Sequence, residues 1–439
     1  MSEVSRRFAD ALEWLYGYAD MERSIGWNPR ASPSLEWNLR RTRILLDLLG
    51  APDRRMAVVL VAGTKGKGST AALLASILSA SGATTGLYTK PHLQSYRERV
   101  RVDGQAVSEA AFADAVDALR PKVDVLRGLV PAAGQPTTFE LTTALAFLHF
   151  ATSRCTVAVV EVGLGGRLDA TNATDPHVSV ITPISHDHVR ELGRRLDQIA
   201  REKAGVLRPG RVVVVAAQRA TAAAAIRAES DRIGAERREI RPIATADATR
   251  LGLALRGPHQ RQNAAVAIAA ARALSEHGIV TVDDDHVARG LSRLRWPGRF
   301  EIVPGTPAIV LDGAHNDGSA EALALALRTE FPARPLRLVV GMMRDKDAGA
   351  FARTMAPVAR FVYATAPRGV RGLRAEELAR RYGGRARAFA DLADALGAAR
   401  AEARPRDIVC VTGSLALVGE ARDLLGLPVP ERLWDAAER

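Results

Sequence analysis

A two-unit α/β protein with mostly parallel sheets is implied by this sequence, on three observations. Short β-branched apolar runs recur with amphipathic or Ala-rich stretches between them. A Pro- and Gly-rich segment near residue 296 interrupts that alternation, which then restarts. At 439 residues the chain also exceeds one ordinary core, and its 47% hydrophobic content is enough to fill two.

In chain order, the runs AVVLVAG (57–63), TTGLYT (84–89), CTVAVVEVG (155–163), VSVITPI (178–184) and RVVVVAA (211–217) read as strands. Near-continuous apolar strands alternating with helical stretches imply a parallel sheet covered by helices on both faces. After WPGRFEIVPGTP (296–307), the runs AIVLDGAHN, LRLVVGMM, RFVYATA and DIVCVTGS read as strands of a second unit, with helices such as SAEALALALRTEF between them. The expected division is therefore 1–296 and 297–439. No low-complexity tract or short-period repeat interrupts this plan.

The formal charge is +12, from 61 Lys and Arg against 49 Asp and Glu. The arginines are spread along helices without a basic tail or interleaved aromatics, so small anionic substrates are expected rather than a nucleic-acid partner. No apolar run reaches the roughly 18 residues a spanning helix needs, and the N-terminus lacks a signal-peptide core. A cytoplasmic monomer without a membrane partner is the expectation. Cys155 and Cys410 sit in strand-like apolar runs and are expected as buried free thiols.

The loop Gly63-Thr64-Lys65-Gly66-Lys67-Gly68-Ser69 leaves the first strand and enters an Ala/Leu-rich helix. Its spacing departs from the standard G-x-x-x-x-G-K-[ST], because Gly68 separates Lys67 from Ser69. The physical ingredients of a phosphate cradle remain: glycines that let backbone N–H groups approach, a lysine, and a helix N-terminus. Glu161 ends an apolar strand at the carboxyl edge, where open α/β sheets bind ligands, and a carboxylate there calls for a cation. Magnesium beside a nucleotide is one such cation, and a structural Arg167 is the competing partner.

The next strand leads to His186, Asp187 and His188, whose spacing does not close a zinc site without a distant ligand. Lys203 lies in a short helix ending at Gly205 or Gly210, where a surface position is the plain expectation. Asn263 interrupts an Ala/Val helix that opens after Gly257, and Asn is a poor interior helix residue. Asp312, Gly313, His315 and Asn316 fall between a strand and a helix, close to the expected boundary.

Taken in order, NLRRTRILLDLLG, GTKGKGST, KPHL, RERVRVDG, PTTFELTTALAF, EVGLGGRLDATN, DHVRELG, IAREKAGVLRPG, GPHQRQNAAVA, WPGRFE and DGAHN resemble the folylpolyglutamate synthase and dihydrofolate synthase family of the Mur ligase superfamily. The resemblance runs through almost the whole chain. It implies a P-loop ATPase domain joined by a hinge to a smaller Rossmann-like domain. The implied activity is ATP-dependent addition of L-glutamate to folate, and to dihydropteroate in a bifunctional enzyme.

By the same resemblance, Gly66, Lys67, Gly68 and Ser69 would cradle the triphosphate, and Asn263, Arg299 and Asp312 would contact ATP. Glu161 and His188 would hold Mg2+, Lys203 would carry a carbamate, and His315 would lie near the phosphates. Thr138, Phe139 and Glu140, with Leu168, Asp169 and Ala170, correspond to pterin-pocket positions.

Two residues depart from the family pattern. Lys90 stands where a serine usually ligates magnesium, and an ammonium cannot ligate a cation, so either Thr89 or water fills that coordination position or Lys90 contacts phosphate and the metal is bound differently. Lys65 stands where asparagine is commoner. The competing readings are a ligase of the same superfamily acting on a non-folate acid, a plain P-loop ATPase or kinase, and a catalytically silent nucleotide-regulated binding protein.

Overall fold

Alternating side chains on a single six-residue strand explain how the first unit is layered. The structure, a computed structural model, describes residues 2–20, 36–131, 134–369 and 371–434. Strand β1 (Ala57–Ala62) is buried along its whole length. Val58, Leu60 and Ala62 point into one core and Ala57, Val59 and Val61 into another, as a period of two requires. Helices Glu3–Tyr16, Glu109–Leu129 and Thr138–Thr152 contribute to the first of these cores, and helices Lys67–Ala80, Pro258–Glu276 and Asp284–Arg293 to the second.

The remaining strands of this unit are β2 (Thr85–Tyr88), β3 (Val100–Val102), β4 (Gln105–Ala106), β5 (Val157–Glu161), β6 (Val178–Ile181), β7 (Val212–Ala216) and β8 (Glu236–Ile240). They form one sheet in the order β4-β3-β2-β5-β1-β6-β7-β8. The ladder is parallel from β2 to β8, while the β2–β3 and β3–β4 pairings are antiparallel. Strands β5 and β6 flank β1, so the chain switches sides there and opens a crevice at the carboxyl edge.

The second sheet comprises β9 (Glu301–Val303), β10 (Ala308–Leu311), β11 (Leu336–Val340), β12 (Ala359–Ala364), β13 (Ala386–Ala388) and β14 (Ile408–Thr412). Its order is β13-β12-β11-β14-β10-β9, and β9 alone runs antiparallel. The segment expected only to punctuate the chain at 296–307 therefore contains an edge strand. Cys155 and Cys410 are buried and free. No helix among the described residues is long and apolar enough to cross a membrane.

The chain's end packs back against the first unit. Residues beyond Leu427 return to the first unit, where Arg432 bridges to Gln105 and both Leu433 and Trp434 join the core beneath β1. Arg101 anchors this return by donating to the carbonyls of Pro430 and Glu431, at 2.6 and 3.1 Å. The two sheets are thus connected twice, through the segment before β9 and through this tail.

Candidate active site

The loop after β1 is pinned from behind. The backbone N–H groups of Thr64 and Lys65 both donate to the Pro183 carbonyl, just beyond β6. Gly66 has φ +79°, a left-handed conformation that glycine adopts without strain, and a Cβ here would collide with the Asn263 side chain. Helix Lys67–Ala80 begins directly after it, so the first N–H groups of that helix face the crevice with the positive end of its dipole.

Across this loop stands Glu161, the last residue of β5, paired in register with Val61. Its Oε1 lies 4.0 Å from the Lys67 ammonium, and its Oε2 accepts the Lys90 N–H at 3.1 Å. Burial pushes the Glu161 carboxyl upward and the Lys67 ammonium downward, and each group opposes the shift of the other. Arg167 is no partner of Glu161, since its guanidinium pairs with Glu202 at 3.0 Å.

Lys203 is buried, contrary to the plain surface expectation. It lies in the last turn of helix Leu196–Ala204, and its Nζ donates to the Gly63 carbonyl at 2.8 Å. Burial, reinforced by the nearby Lys67 charge, brings its pKa down to about 7. Neighbouring residues partly desolvate His188, whose side chain remains 39% exposed, and bring its pKa down to about 4, so its ring is neutral at pH 7.

From the second unit, His315 faces the same crevice. Its Nδ1 lies 2.8 Å from the Gly313 carbonyl, which can only accept, so the proton is on Nδ1 and Nε2 carries the lone pair. Burial keeps this ring neutral as well. Both Asp312 oxygens accept backbone N–H groups, from Phe300 at 2.8 Å and Ala314 at 2.9 Å, which fixes the turn carrying Arg299 and His315. Asn263 donates to Gln260 at 2.8 Å.

The positions expected to line a pterin pocket are partly taken up internally. Thr138 donates to the Leu15 carbonyl, and Glu140 forms a buried two-pronged pair with Arg41 at 2.7 and 2.9 Å. Of that trio only Phe139 keeps its side chain toward the crevice, against Gly163, where a Cβ would sit 2.5 Å from its ring. Asp169 accepts from the Leu164 N–H and the Thr171 hydroxyl, Ala170 is buried, and Leu168 is half-buried.

Further contacts around the crevice escaped sequence reasoning. Asp187 lies 3.5 Å from the Lys346 ammonium and 3.4 Å from the Asn316 side-chain nitrogen. Lys65 crosses to pack directly against Gly318 in the first turn of helix Asp317–Glu330. Trp296 lies beside the phosphate loop, with its ring edge 3.4 Å from where a Gly68 Cβ would be. Only the charged string around Asp187 carried a local signal.

Two family models match the chain: the Mur ligase middle domain over residues 61–271 and the Mur ligase, glutamate ligase domain over residues 298–415. The dihydrofolate synthase/folylpolyglutamate synthase of Mycobacterium tuberculosis is 35% identical, over 89% of this chain and 90% of that protein. The chain belongs to the dihydrofolate synthase/folylpolyglutamate synthase family. Among solved structures, folylpolyglutamate synthase from Mycobacterium tuberculosis complexed with ADP superposes at a TM-score of 0.86 with 32% identity, covering 97% of this chain and all of that one. The bifunctional folylpolyglutamate synthase/dihydrofolate synthase from Yersinia pestis, complexed with AMPPNP and Mn ion, gives 0.82 with 30% identity and the same coverage. The family therefore fits both the parallel-sheet architecture and the two-sided crevice.

Among the described residues no three His, Cys, Asp or Glu side chains cluster as a metal-binding group. Magnesium is usually held by one or two carboxylates, with water and phosphate oxygens completing the shell. Glu161, a buried carboxylate at the carboxyl edge, provides one such oxygen donor.

Proposed function

We propose that this chain is an ATP-dependent amide ligase that adds L-glutamate to the carboxylate of a folate, with dihydropteroate as a second acceptor. The observation that carries this reading is the two-sided crevice, in which Arg299 of the second unit lies within electrostatic reach of Glu161, and His315 within reach of Asp187. A phosphate loop alone would suit any ATPase. A second set of buried polar groups opposite it suits transfer to an acceptor.

Gly66, Lys67, Gly68 and Ser69 would cradle the triphosphate, while Asn263, Arg299 and Asp312 hold or frame the rest of the nucleotide. Glu161 and the neutral His188 ring would hold magnesium, which when bound supplies charge neutralisation on the phosphates. Phe139 and Leu168 would wall the pterin side, backed by Thr138, Glu140, Asp169 and Ala170.

In the first step an acceptor carboxylate oxygen attacks the γ-phosphorus, giving an acyl phosphate and ADP. Lys67 and the helix dipole neutralise the transferring group, an electrostatic contribution that needs no reorganisation during reaction. The glutamate amine then attacks the acyl carbon, loses a proton, and inorganic phosphate leaves from the tetrahedral adduct. The lone pair on His315 Nε2 would take that proton. Lys203, with a pKa near 7, is a suitable amine for a carbamate, because only neutral amine reacts with CO2.

We further read residues 1–296 and 297–439 as the two catalytic domains of a cytoplasmic monomer that acts without nucleic acid or membrane. The +12 charge would steer its anionic substrates. Polyglutamylation is the favoured activity. A folate presents its γ-carboxylate about 6 Å beyond the benzoate of a pteroate, so one pocket serves both acceptors only if the pterin shifts.

The test supplies purified protein with ATP, magnesium and labelled glutamate, together with tetrahydrofolate, dihydropteroate or neither. Pterin-dependent incorporation with equal ADP release is expected. ADP release without incorporation into either pterin would exclude the folate reading and leave the superfamily ligase that uses another acid.

A further inference from the structure

The opposite edge of the first sheet carries an open pocket of about 430 Å³, to which the scheme above gives no task. It lies where β1, β6 and β7 begin, and Met56, His177 and Arg211, the residues just before those strands, all line it. The six residues of β1 span about 20 Å, so this pocket and the phosphate loop stand at opposite ends of one strand. A small molecule bound in one cannot fill the other.

The walls are basic, with Arg43, Arg54, Arg208 and Arg211 set against Asp53 and Asp175. Arg43 and Asp53 satisfy each other, at 2.6 and 3.0 Å. The other three guanidiniums have no carboxylate at hydrogen-bond distance among the described residues. Arg208 donates to neutral oxygens, the carbonyls of Leu207, Asn172 and Thr174 and the Asn172 side chain. Its Nε lies 3.6 Å from Asp175, Arg211 lies 3.9 Å from the same carboxylate, and Arg54 lies 3.8 Å from Asp47. Arg208 and Arg211 therefore converge on one exposed carboxylate without closing on it.

His177 adds a donor. The Val58 N–H donates to its Nδ1 at 3.3 Å, which leaves the ring proton on Nε2. Burial, with the neighbouring Arg211 charge, holds its pKa below the ordinary value, so the ring is neutral at pH 7 and still offers that N–H.

We infer that this pocket binds an oxyanion, a phosphate or carboxylate group of a small molecule, held by Arg211 and the His177 Nε2–H with Arg54 and Arg208 alongside. The space is of the size that small ligands occupy. Guanidinium suits both groups, because its paired N–H donors match two oxygens of either. The assignment is independent of which acid the crevice uses. Asn172, over which Arg208 closes, donates to the carbonyls of Arg167 and Gly205, and Gly205 caps the helix of Lys203. An anion joining Arg208 to Arg211 would brace this turn against the segment after Lys203, and it should raise Tm.

Titration calorimetry on the full-length protein, with the crevice filled by AMPPNP and magnesium, tests inorganic phosphate and, separately, tricarballylate. At least one should bind. Arg211→Ser combined with His177→Gln should weaken that binding about tenfold or more, and Asp175→Asn should tighten it by removing the competing carboxylate. AMPPNP affinity should be the same in parent and variants, which shows that the fold and the crevice are intact. Tighter binding of phosphate would support the site and identify a phosphorylated ligand, whereas tighter binding of tricarballylate would support it and identify a carboxylate. Failure of both probes to bind, or binding that the Arg211→Ser, His177→Gln protein retains in full, would overturn the assignment.

Discussion

The Lys203 ammonium donates to the carbonyl of Gly63 at 2.8 Å, joining the helix before β7 to the start of the phosphate loop. A buried amine whose hydrogen-bond partner among the described residues is a neutral carbonyl is easily deprotonated, and desolvation is the leading cause of its fall to about 7. Carbamoylation is the expected consequence. Protein equilibrated with 13C-labelled bicarbonate at pH 8 should show a carbamate carbonyl resonance that is missing in Lys203→Ala. The same spectrum in both proteins would remove Lys203 from the mechanism.

The same residue gives a pH signature of stability. Its folded pKa is about 7 against an ordinary 10.5, so between those values the unfolded chain binds more protons. The cost of burying Lys203 is fully present below pH 7 and is lost as pH rises through 10.5. In CO2-free buffer, Lys203→Met should therefore raise Tm more at pH 6.5 than at pH 9.5. A gain that is independent of pH, or larger at the high end, would contradict a neutralised buried lysine.

Lys67 and Glu161 form the charged centre of the crevice, 4.0 Å apart. Lys67→Met and Glu161→Gln are each expected to lower glutamate incorporation by about a hundredfold or more, because each removes charge compensation at the transferred phosphoryl group. Circular dichroism should show both variants folded. Activity within a few-fold of the parent in either would defeat the site assignment.

Much of this arrangement was legible in the sequence because buried parallel strands leave near-continuous apolar runs, as in VVLVA and VAVVE. Motifs at the ends of such runs then fall on the carboxyl edge, which is how Glu161 and the loop around Gly66 could be placed. Strand β8 could not be read in this way, because ERREI lies at a sheet edge and its charges stay in water. The tail was equally obscure, since only tertiary packing carries Leu433 and Trp434 back beneath β1. Lys203 looked like a surface lysine for the same reason: its burial depends on a loop 140 residues away.

The pair of Arg41 and Glu140 shows how a substrate-wall stretch can also be structural. Both side chains are almost wholly buried and joined by two short hydrogen bonds. Removing one partner of such a pair costs about 3–5 kcal/mol, because the remaining charge is stranded. Glu140→Gln should lower unfolding stability in urea by an amount near that range, and Arg41→Met with Glu140→Leu should recover much of it. An unaltered midpoint in the single variant would refute the buried pair.

Asp187 and Lys346 connect the two units across the crevice at 3.5 Å, with Asn316 alongside. Closure on substrate would place these groups at the rim and exclude water from an acyl phosphate. Small-angle scattering should show contraction on adding a non-hydrolysable ATP analogue, magnesium and tetrahydrofolate. Lys346→Ala should reduce that contraction and raise the fraction of ADP released without amide formation. Identical curves with and without ligands would count against closure.

Gly66 is where loop geometry and the proposed nucleotide site would meet most directly. Its φ of +79° costs a residue bearing a Cβ about 1–2 kcal/mol, and the added carbon also collides with the Asn263 side chain. These two penalties can be separated. Gly66→Ala should weaken ADP binding about tenfold or more and lower Tm, since both the loop and Asn263 must shift. In an Asn263→Gly background the collision disappears while the backbone strain stays, so the Tm loss caused by Gly66→Ala should shrink without vanishing. An equal loss in both backgrounds would show that Asn263 does not press on the loop, and that the cradle is shaped by backbone conformation alone.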